Sequence, residues 1–114
     1  FKGAKAGLRP LYDHILNIVQ GMGDDVELAP RKSYIAFTRG KIFALTMASS
    51  KTRLDLGLKL PGIPATDRLV EAADFASGSI THKVALHTLE DVDEQVIQWL
   101  HEAFESAGGN ARIK

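Results

Sequence analysis

The sequence predicts an α+β fold, in which an antiparallel sheet of four or five strands carries two long helices on one face. Three observations lead to this prediction. Apolar residues recur at helical spacing near both ends of the chain, a central segment alternates strictly between leucine and other residues, and glycine or proline separates the segments. A two-layer sandwich is the simplest arrangement that buries two amphipathic helices against a half-apolar sheet.

Four elements are predicted in the first half of the chain. The first helix carries an apolar stripe, admits Pro10 in its first turn and ends at Gly21 or Gly23. Two later strands form a hairpin, because Gly40 can take the positive φ that a tight turn requires. The predicted elements are a helix at 8–22, a short edge strand at 26–28 and hairpin strands at 33–38 and 41–48.

The second half begins with the strongest strand signal, a segment in which leucine occupies every second position. Thr66 is predicted to cap a short helix, and Thr88 with Asp91 forms a variant capping box before the last helix. The predicted elements are a strand at 53–60, a short helix at 67–73, a strand at 80–87 and a helix whose apolar stripe runs from 89 to 107.

Composition limits the class of protein. The chain has 114 residues, 45% of them hydrophobic and 25% charged. We therefore expect a single domain at 1–114, with a folded core at 6–107 and a frayed tail at 108–114. No apolar run approaches the roughly 20 residues that cross a bilayer, so we expect a cytoplasmic protein with no membrane partner. Because Phe1 is not an initiator methionine, we expect the chain to be part of a longer protein.

Motifs for cofactors and metals are absent from the sequence. It contains neither the phosphate-binding pattern Gly-x-x-x-x-Gly-Lys-Ser/Thr, nor the Rossmann glycine pattern, nor a nucleophile elbow. It has no cysteine, which excludes disulfides and thiolate metal sites. His82 and His87 are five residues apart on one predicted strand and should point to opposite faces, with His82 towards the core. We predict no cofactor and no metal.

The predicted sheet has a second face, which follows from the alternation of side chains along each strand. The residues predicted to face the helices are Ile35, Phe37, Phe43, Leu45, Leu54, Leu56, Leu58, Leu60, Val84 and Leu86. Those predicted to point away are Tyr34, Ala36, Thr38, Ala44, Thr46, Arg53, Asp55, Gly57, Lys59, Lys83, Ala85 and His87. Small residues at the centre would let a ligand approach, and the cations can bind a carboxylate or phosphate. The alternative is a solvated face, or one covered by the short helix or a second subunit.

The formal net charge of zero conceals a separation of charge along the chain. Seven cations and one carboxylate lie at 31–59, a net charge of +6, whereas 90–105 holds six carboxylates and no lysine or arginine. Since the first segment is predicted sheet and the second is the last helix, the domain should be electrically lopsided. Part of the negative charge has a structural explanation, because a helix N-terminus favours carboxylates.

A binding domain without catalytic activity is the leading functional hypothesis. Its basic sheet face would bind a nucleic acid, a phosphorylated ligand or an acidic protein surface. A second hypothesis is a homodimer, in which the acidic helix of one copy meets the basic sheet of another. A third is a small enzyme that uses Arg53, Asp55 and His87 for acid–base chemistry, although a surface ion pair explains the first two more simply. The predicted binding residues are Arg31, Lys32, Tyr34, Arg53, Asp55, Lys59, Lys83 and His87.

Short motifs along most of the chain resemble a known family. They are KAGLRPLY at 5–12, GDDV at 23–26, PRK at 30–32, TRLDLGL at 52–58, TDRL at 66–69, ITHKV at 80–84 and DVDE at 91–94. In combination they resemble the bacterial domain-of-unknown-function family 5655, over a span from Lys5 to about Ala107. The resemblance implies a domain that forms the C-terminal part of a longer protein. It implies no reaction and no catalytic residue.

Overall fold

The computed structural model describes residues 7–23, 25–30, 34–60, 62–71 and 80–107. Within these residues the six strands form one antiparallel sheet in the order β1-β2-β3-β4-β6-β5. The α+β class is confirmed, but the sheet has more strands than the predicted four or five. The elements are α1 (Arg9–Gln20), β1 (Glu27–Pro30), β2 (Ile35–Arg39), β3 (Lys41–Ala48), β4 (Leu54–Leu58), β5 (Val70–Glu71), β6 (His82–Leu86), a 3-10 turn (Leu89–Asp91) and α2 (Glu94–Ala107).

The first helix forms where the sequence predicts it. Pro10 lies in its first turn, where the missing N–H removes no helical hydrogen bond. Gly21 ends the helix, and its N–H donates to the carbonyl of Asn17 at 3.1 Å. In the described part of the chain, neither helix is long and apolar enough to cross a membrane. The buried residues of α1 are Leu11, Tyr12, Ile15 and Val19.

The extra strand, β5, replaces the short helix predicted at 67–73. It pairs antiparallel with β6, while residues 72 and 73 lie outside the described part of the chain. Thr66 acts in a turn instead of capping a helix. Its Oγ1 accepts hydrogen bonds from the N–H groups of Arg68 and Leu69 at 3.3 and 3.0 Å. A threonine side chain can hydrogen-bond to nearby backbone groups, and here these local bonds form in place of a helix.

One large hydrophobic cluster contains residues of both helices and of the sheet. The alternation in β4 is confirmed, because Leu54, Leu56 and Leu58 all belong to this cluster and are fully buried. Burying such a side chain contributes roughly 1.5–3 kcal/mol relative to leaving it exposed. Other members are Ile15 and Val19 of α1, Phe37 of β2, Phe43 of β3, Val84 and Leu86 of β6, and Val96, Leu100 and Phe104 of α2.

A β-bulge in β3 reverses part of the predicted alternation. Phe37 pairs with Ala44, but the register then shifts by one residue, which leaves Phe43 as an extra residue. Phe43 and Ala44 therefore both belong to the large cluster, while Leu45 lies on the other face. The predicted orientations of Ala44, Leu45 and Thr46 are wrong for this reason, since Thr46 pairs with a residue of the large cluster's face.

A smaller cluster occupies part of the second face. Ala36, Leu45 and Ile80 are buried in it, and Tyr34 and Met47 pack against them. Ala36 and Leu45 are direct neighbours across β2 and β3. The predicted floor of small residues is therefore wrong for this half of the face, because the bulge brings Leu45 to it.

The last helix begins later than its apolar pattern predicts. Leu89 lies in the 3-10 turn and is 51% exposed, so the buried stripe of α2 starts after it. Asp91 accepts the N–H groups of His87 and Thr88 at 2.8 and 3.1 Å. The predicted capping residues therefore act on the 3-10 turn, and the side chain of Ala107 lies outside the described part of the chain.

Asp93 occupies the N-cap position of α2. Its Oδ1 accepts the N–H of Val96 at 3.1 Å, and its Oδ2 lies 2.9 Å from Nη1 of Arg68. The hydrogen bond from Val96, supported by Arg68, lowers the pKa of the Asp93 carboxyl below its ordinary value. The charged form of this side chain is therefore the one that the fold favours.

We expect the contribution of Asp93 to stability to disappear in acid. Because its pKa is lower in the folded chain, this contribution is complete above the unfolded value of about 3.9 and is lost as the pH falls through the folded pKa. Asp93→Asn keeps a good N-cap residue but removes the charge. The difference in unfolding free energy between wild type and Asp93→Asn, measured by urea titration, should shrink between pH 7 and pH 3. A difference that does not vary with pH would contradict this.

Candidate functional site

A pocket on the second face of the sheet brings five charged side chains together. Its volume is about 270 Å³. Three of the charged residues are cations and two are carboxylates, so the lining carries a net charge of +1. The lining residues are Arg53, Asp55, Asp67, Arg68, Val70, Lys83 and Ala85.

The pairing of β4 with β6 builds the floor of this pocket. Asp55 lies opposite Ala85, and Gly57 lies opposite Lys83. Side chains at directly opposite positions share a face of the sheet, so these four residues lie together. Gly57 has no side-chain carbon and Ala85 has only a methyl group, which leaves space between the longer polar side chains. The sequence predicted this part of the face correctly.

Asp55 is a buried carboxylate at the edge of the pocket. It is only 2% exposed. Its Oδ1 lies 3.3 Å from Nε of Arg53, and its Oδ2 accepts a hydrogen bond from the hydroxyl of Ser49. Both partners matter, because a carboxylate removed from water without them is strongly destabilising. Asp55 also orients Arg53, whose side chain is 44% exposed at the rim.

The turn between β3 and β4 positions Ser49 and Arg53. The N–H groups of Ser49 and Ser50 both donate to the carbonyl of Arg53, at 3.1 and 3.3 Å. The hydroxyl of Ser50 accepts the N–H of Thr52 at 3.2 Å. These bonds close the turn, so that Arg53 enters the sheet two residues before Asp55 and on the same side of the strand.

Arg68 lines the pocket but is held by the start of α2. Its Nη1 lies 2.9 Å from Oδ2 of Asp93 and 3.3 Å from Oε1 of Gln95, and its Nη2 donates to the carbonyl of Asp91 at 2.8 Å. Arg68 thus fixes the segment before β5 to the last helix. Its role in the pocket is to form a wall, while Arg53 and Lys83 present the remaining cationic groups.

Three of the eight predicted site residues line the pocket, namely Arg53, Asp55 and Lys83. Lys59 follows the end of β4, six residues from Arg53, which corresponds to about 20 Å along a strand. Tyr34 is half-buried against the smaller cluster. Arg31 and Lys32 lie outside the described residues.

His87 is exposed and is not among the residues that line the pocket. Its Nδ1 lies 3.2 Å from the carbonyl oxygen of Thr52, to which it can donate a hydrogen bond. The structure joins Arg53 and Asp55 as an ion pair. It places His87 against Thr52, the residue before Arg53, outside the lining of this pocket.

The cations of segment 31–59 do not form one continuous patch within the described chain. Arg39 contacts Asp25 and the end of α2, and Lys41 begins β3 beside it. Arg53 lies at the other end of the β3–β4 hairpin. Among the described cations of this segment, Arg53 lines the pocket, whereas the strands place Arg39, Lys41 and Lys59 elsewhere on the sheet.

Three lining residues, Asp67, Arg68 and Val70, were not predicted for the site from the sequence. Asp67 and Arg68 lie in a turn, in which the N–H of Thr66 donates to the carbonyl of Leu69 at 2.9 Å. This turn leads into β5, whose Val70 pairs with Lys83 of β6. A strand prediction at 70–71 would have brought this segment to the sheet, but two residues carry no periodic signal.

His82 lies on the large-cluster side of β6, as the prediction that it points towards the core requires. It is 4% exposed, pairs with Leu58, and has Nδ1 2.7 Å from Oγ1 of Thr81. Its Nε2 has no hydrogen-bond partner among the described residues. The part of the chain that the structure describes contains no group of three or more histidine or acidic side chains that could hold a metal ion.

The match to a known family covers nearly the whole chain. The model of the family described as Domain of unknown function (DUF5655) matches residues 1–107 of the 114. The chain belongs to the DUF5655 family. Every residue that lines the pocket lies inside the matched span, so the pocket is part of the DUF5655 domain itself. Neither the curated proteins nor the solved structures include a match to this chain.

The cations of this DUF5655 pocket carry hydrogen-bond donors of the kind that bind anions. A guanidinium has five N–H donors and an ammonium has three. The ion pair with Asp55 engages Nε of Arg53, the side of the guanidinium nearest its stem. Arginine binds carboxylate and phosphate through two parallel hydrogen bonds, and lysine adds a point charge.

Proposed function

We propose that this DUF5655 domain is a binding module that takes a small ligand with a phosphate or carboxylate group into the pocket. The observation that carries the proposal is that Arg53 and Lys83 line one pocket above the small side chain of Ala85. Asp55 stabilises Arg53 from the buried side. A ligand anion would take up donors of both cations and neutralise the net charge of the lining.

The size of the pocket favours a small ligand over a nucleic acid. Its volume of about 270 Å³ is slightly smaller than the volumes of typical ligand sites, which begin at about 300 Å³. A nucleic acid needs phosphate contacts that repeat along the strand. The described cation at the far end of β4, Lys59, is about 20 Å from Arg53 by strand geometry, which is too far to belong to the same pocket.

Substitution of Lys83 tests this proposal. Titration with inorganic phosphate and with a three-carbon phosphorylated acid, followed by backbone amide NMR at low salt, should give saturable shifts at residues of the pocket. Lys83→Gln should weaken the affinity by about tenfold, which corresponds to roughly 1.4 kcal/mol. Lys51→Gln is the matched control, because Lys51 is exposed in the β3–β4 turn outside the pocket lining. It should change the affinity by less than about twofold.

Two results would contradict the proposed site. Equal weakening by Lys83→Gln and Lys51→Gln would show that the ligand responds to overall charge. Shifts confined to residues outside the pocket would place any anion elsewhere. Single-stranded DNA and RNA oligonucleotides are titrated in parallel to test the nucleic-acid alternative. That alternative requires the oligonucleotides to bind more tightly than the small ligands, with an affinity that falls strongly as salt is raised.

Homodimerisation is a second candidate function, favoured by exposed apolar residues on both edge strands. Leu28 on β1 is 41% exposed and Val70 on β5 is 40% exposed. An edge strand presents unpaired backbone groups that a second chain can extend. Sedimentation equilibrium at low and high salt decides this question, since a monomer under both conditions would exclude it.

We also infer that α1 and α2 cover the same face of the sheet, as the two-layer prediction has it. The inference rests on the large cluster, which contains residues of both helices together with Leu54, Leu56 and Leu58 of β4. The face that carries the pocket would then be the one away from both helices.

A further inference from the structure

A groove with an apolar centre lies between the end of α1 and α2. Its volume is about 640 Å³, within the range of roughly 300–1,000 Å³ in which ligand sites fall. Its apolar lining includes Ile18 and Met22 from α1 and the turn after it, and Ile97 from α2. Ile97 is 36% exposed. The groove is separate from the anion pocket and shares no residue with it.

The α2 side of this groove carries one carboxylate and one imidazole. It is lined by Glu94, Ile97, Gln98 and His101, and Nε2 of His101 lies 3.7 Å from Oε2 of Glu105. Glu94, Gln98 and Glu102 are spaced four residues apart, which places them in a row about 12 Å long on one side of the helix. Glu94 and Gln98 line both the groove and a neighbouring hollow, whereas Glu102 lines the hollow, where its Oε2 accepts a hydrogen bond from Nε2 of Gln98 at 3.4 Å. No lysine or arginine occurs at 90–105.

The α1 side of the groove is the C-terminal end of a helix. The groove is lined there by Gly21, the C-cap residue, and the last turn of α1 contains no basic residue. The aligned peptide dipoles place a partial charge of about −0.5 at such an end. The end of α1 and the carboxylate of Glu94 therefore favour a cation, while the centre of the groove favours apolar side chains.

We propose that this groove docks a cationic amphipathic helix of a partner protein. Apolar side chains of the partner at positions i and i+4 would contact Ile18, Met22 and Ile97. Its lysines or arginines would lie beside Glu94 and Glu102. This is the helix-in-groove mode of recognition, with charge at the rim to select the partner.

A second copy of this chain fits the groove less well than a foreign partner does. The described helices are the acidic α2 and the neutral α1, in which Arg9 forms an ion pair with Asp13 at 3.0 Å. Neither offers the cationic face that the groove requires. Neither described helix of a second copy is therefore the proposed occupant, which is a cationic helix of a partner protein.

A model peptide tests the docking proposal. The probe is a fluorescein-labelled helix of about 18 residues, built from lysine and leucine with the leucines at i, i+3, i+4 and i+7. The control probe has glutamate in place of every lysine. Fluorescence anisotropy with the full chain should show saturable binding of the cationic peptide only, weakening as salt is raised from about 50 to 500 mM.

Ile97→Asp should weaken binding of the cationic peptide by about tenfold or more, because it places a charge in the apolar contact. Leu28→Asp is the matched control, since Leu28 has similar exposure on the distant edge strand β1. Circular dichroism should show that both variants keep the wild-type helix content. Equal weakening by the two variants would overturn the proposal.

A charge variant provides an independent test that leaves the apolar groove intact. Glu94→Gln with Glu102→Gln should weaken binding by about three- to tenfold at low salt and much less at high salt. The matched control is Glu27→Gln with Glu71→Gln, two exposed carboxylates on the edge strands. Three results would overturn the proposal. They are binding of the anionic peptide, an equal loss of affinity in both double variants, and a dimer of the wild-type chain that Ile97→Asp dissociates.

Discussion

Replacement of Phe43 by alanine is expected to lower the free energy of unfolding by about 3–5 kcal/mol. The side chain is fully buried, and its ring meets the ring of Phe104 edge-on, with centroids 5.7 Å apart and an interplanar angle of 83°. The substitution removes this contact between the sheet and α2 and leaves a cavity in the large cluster. Urea denaturation followed by the fluorescence of the buried Trp99 measures the loss.

The neighbouring residue supplies the control. Ile42 precedes Phe43 in β3 but is half-buried beside the smaller cluster, so Ile42→Ala should cost about 1 kcal/mol. Alternation along β3 places Ile42 and Phe43 on opposite faces of the sheet, whereas the bulge puts Phe43 and Ala44 on the same one. If Ile42→Ala costs as much as Phe43→Ala, the two side chains do not lie in environments of different burial.

Local patterns predicted the parts of the fold that depend on local physics. The leucines of β4 alternate because one face of the strand is buried, so their period is visible in the sequence. Gly40 has φ +78°, the positive value that the tight turn between β2 and β3 requires. Arg53 and Asp55 were predicted on one strand face for the same reason, and the structure pairs them.

The parts that could not be predicted depend on contacts between distant segments. The bulge in β3 changes which of its residues belong to the large cluster, yet Phe43, Ala44 and Leu45 form the same apolar run with or without it. The strand β5 exists because it pairs with β6, since two residues have no period of their own. The three contacts of Arg68 reach 23 to 27 residues along the chain.

The candidate pocket shows the same division between local and distant information. Asp55 and Lys83 could be assigned to a polar face from alternation alone. Their meeting in one pocket requires the register of β4 against β6, in which Gly57 lies opposite Lys83. The far wall, with Asp67 and Arg68, requires the segment before β5 to be held against α2. Charge counted along the sequence therefore does not indicate which cations meet in the fold.

Replacement of Arg39 by alanine is the second large effect, with an expected loss of about 2–4 kcal/mol in the free energy of unfolding. Its Nε lies 3.0 Å from Oδ2 of Asp25, and its Nη1 donates to the carbonyl of Phe104 at 3.1 Å. The guanidinium also lies 4.0 Å from the centre of the Phe104 ring. Arg39 thereby joins the turn after α1, the β2–β3 hairpin and the last helix.

The geometry of the guanidinium, beyond its charge, should account for much of this loss. Arg39→Lys keeps the charge but not the planar group, so we expect a loss of about 1–2 kcal/mol. Lys41→Ala, an exposed cation at the same turn, should cost less than about 0.5 kcal/mol. Chemical denaturation of the three variants measures these losses, and an equal loss of unfolding free energy in all three would refute the role of Arg39.

Asp25 reports on the same contact independently of stability. The hydrogen bond from Arg39 lowers the pKa of the Asp25 carboxyl, so this pKa should rise towards its ordinary value in Arg39→Ala, as measured by NMR titration of the side chain. The ring of Phe104 packs closely against Gly23 in the same turn, since a Cβ added at Gly23 would lie 2.9 Å from Cζ of Phe104. A pKa of Asp25 that is the same in wild type and in Arg39→Ala would contradict the contact.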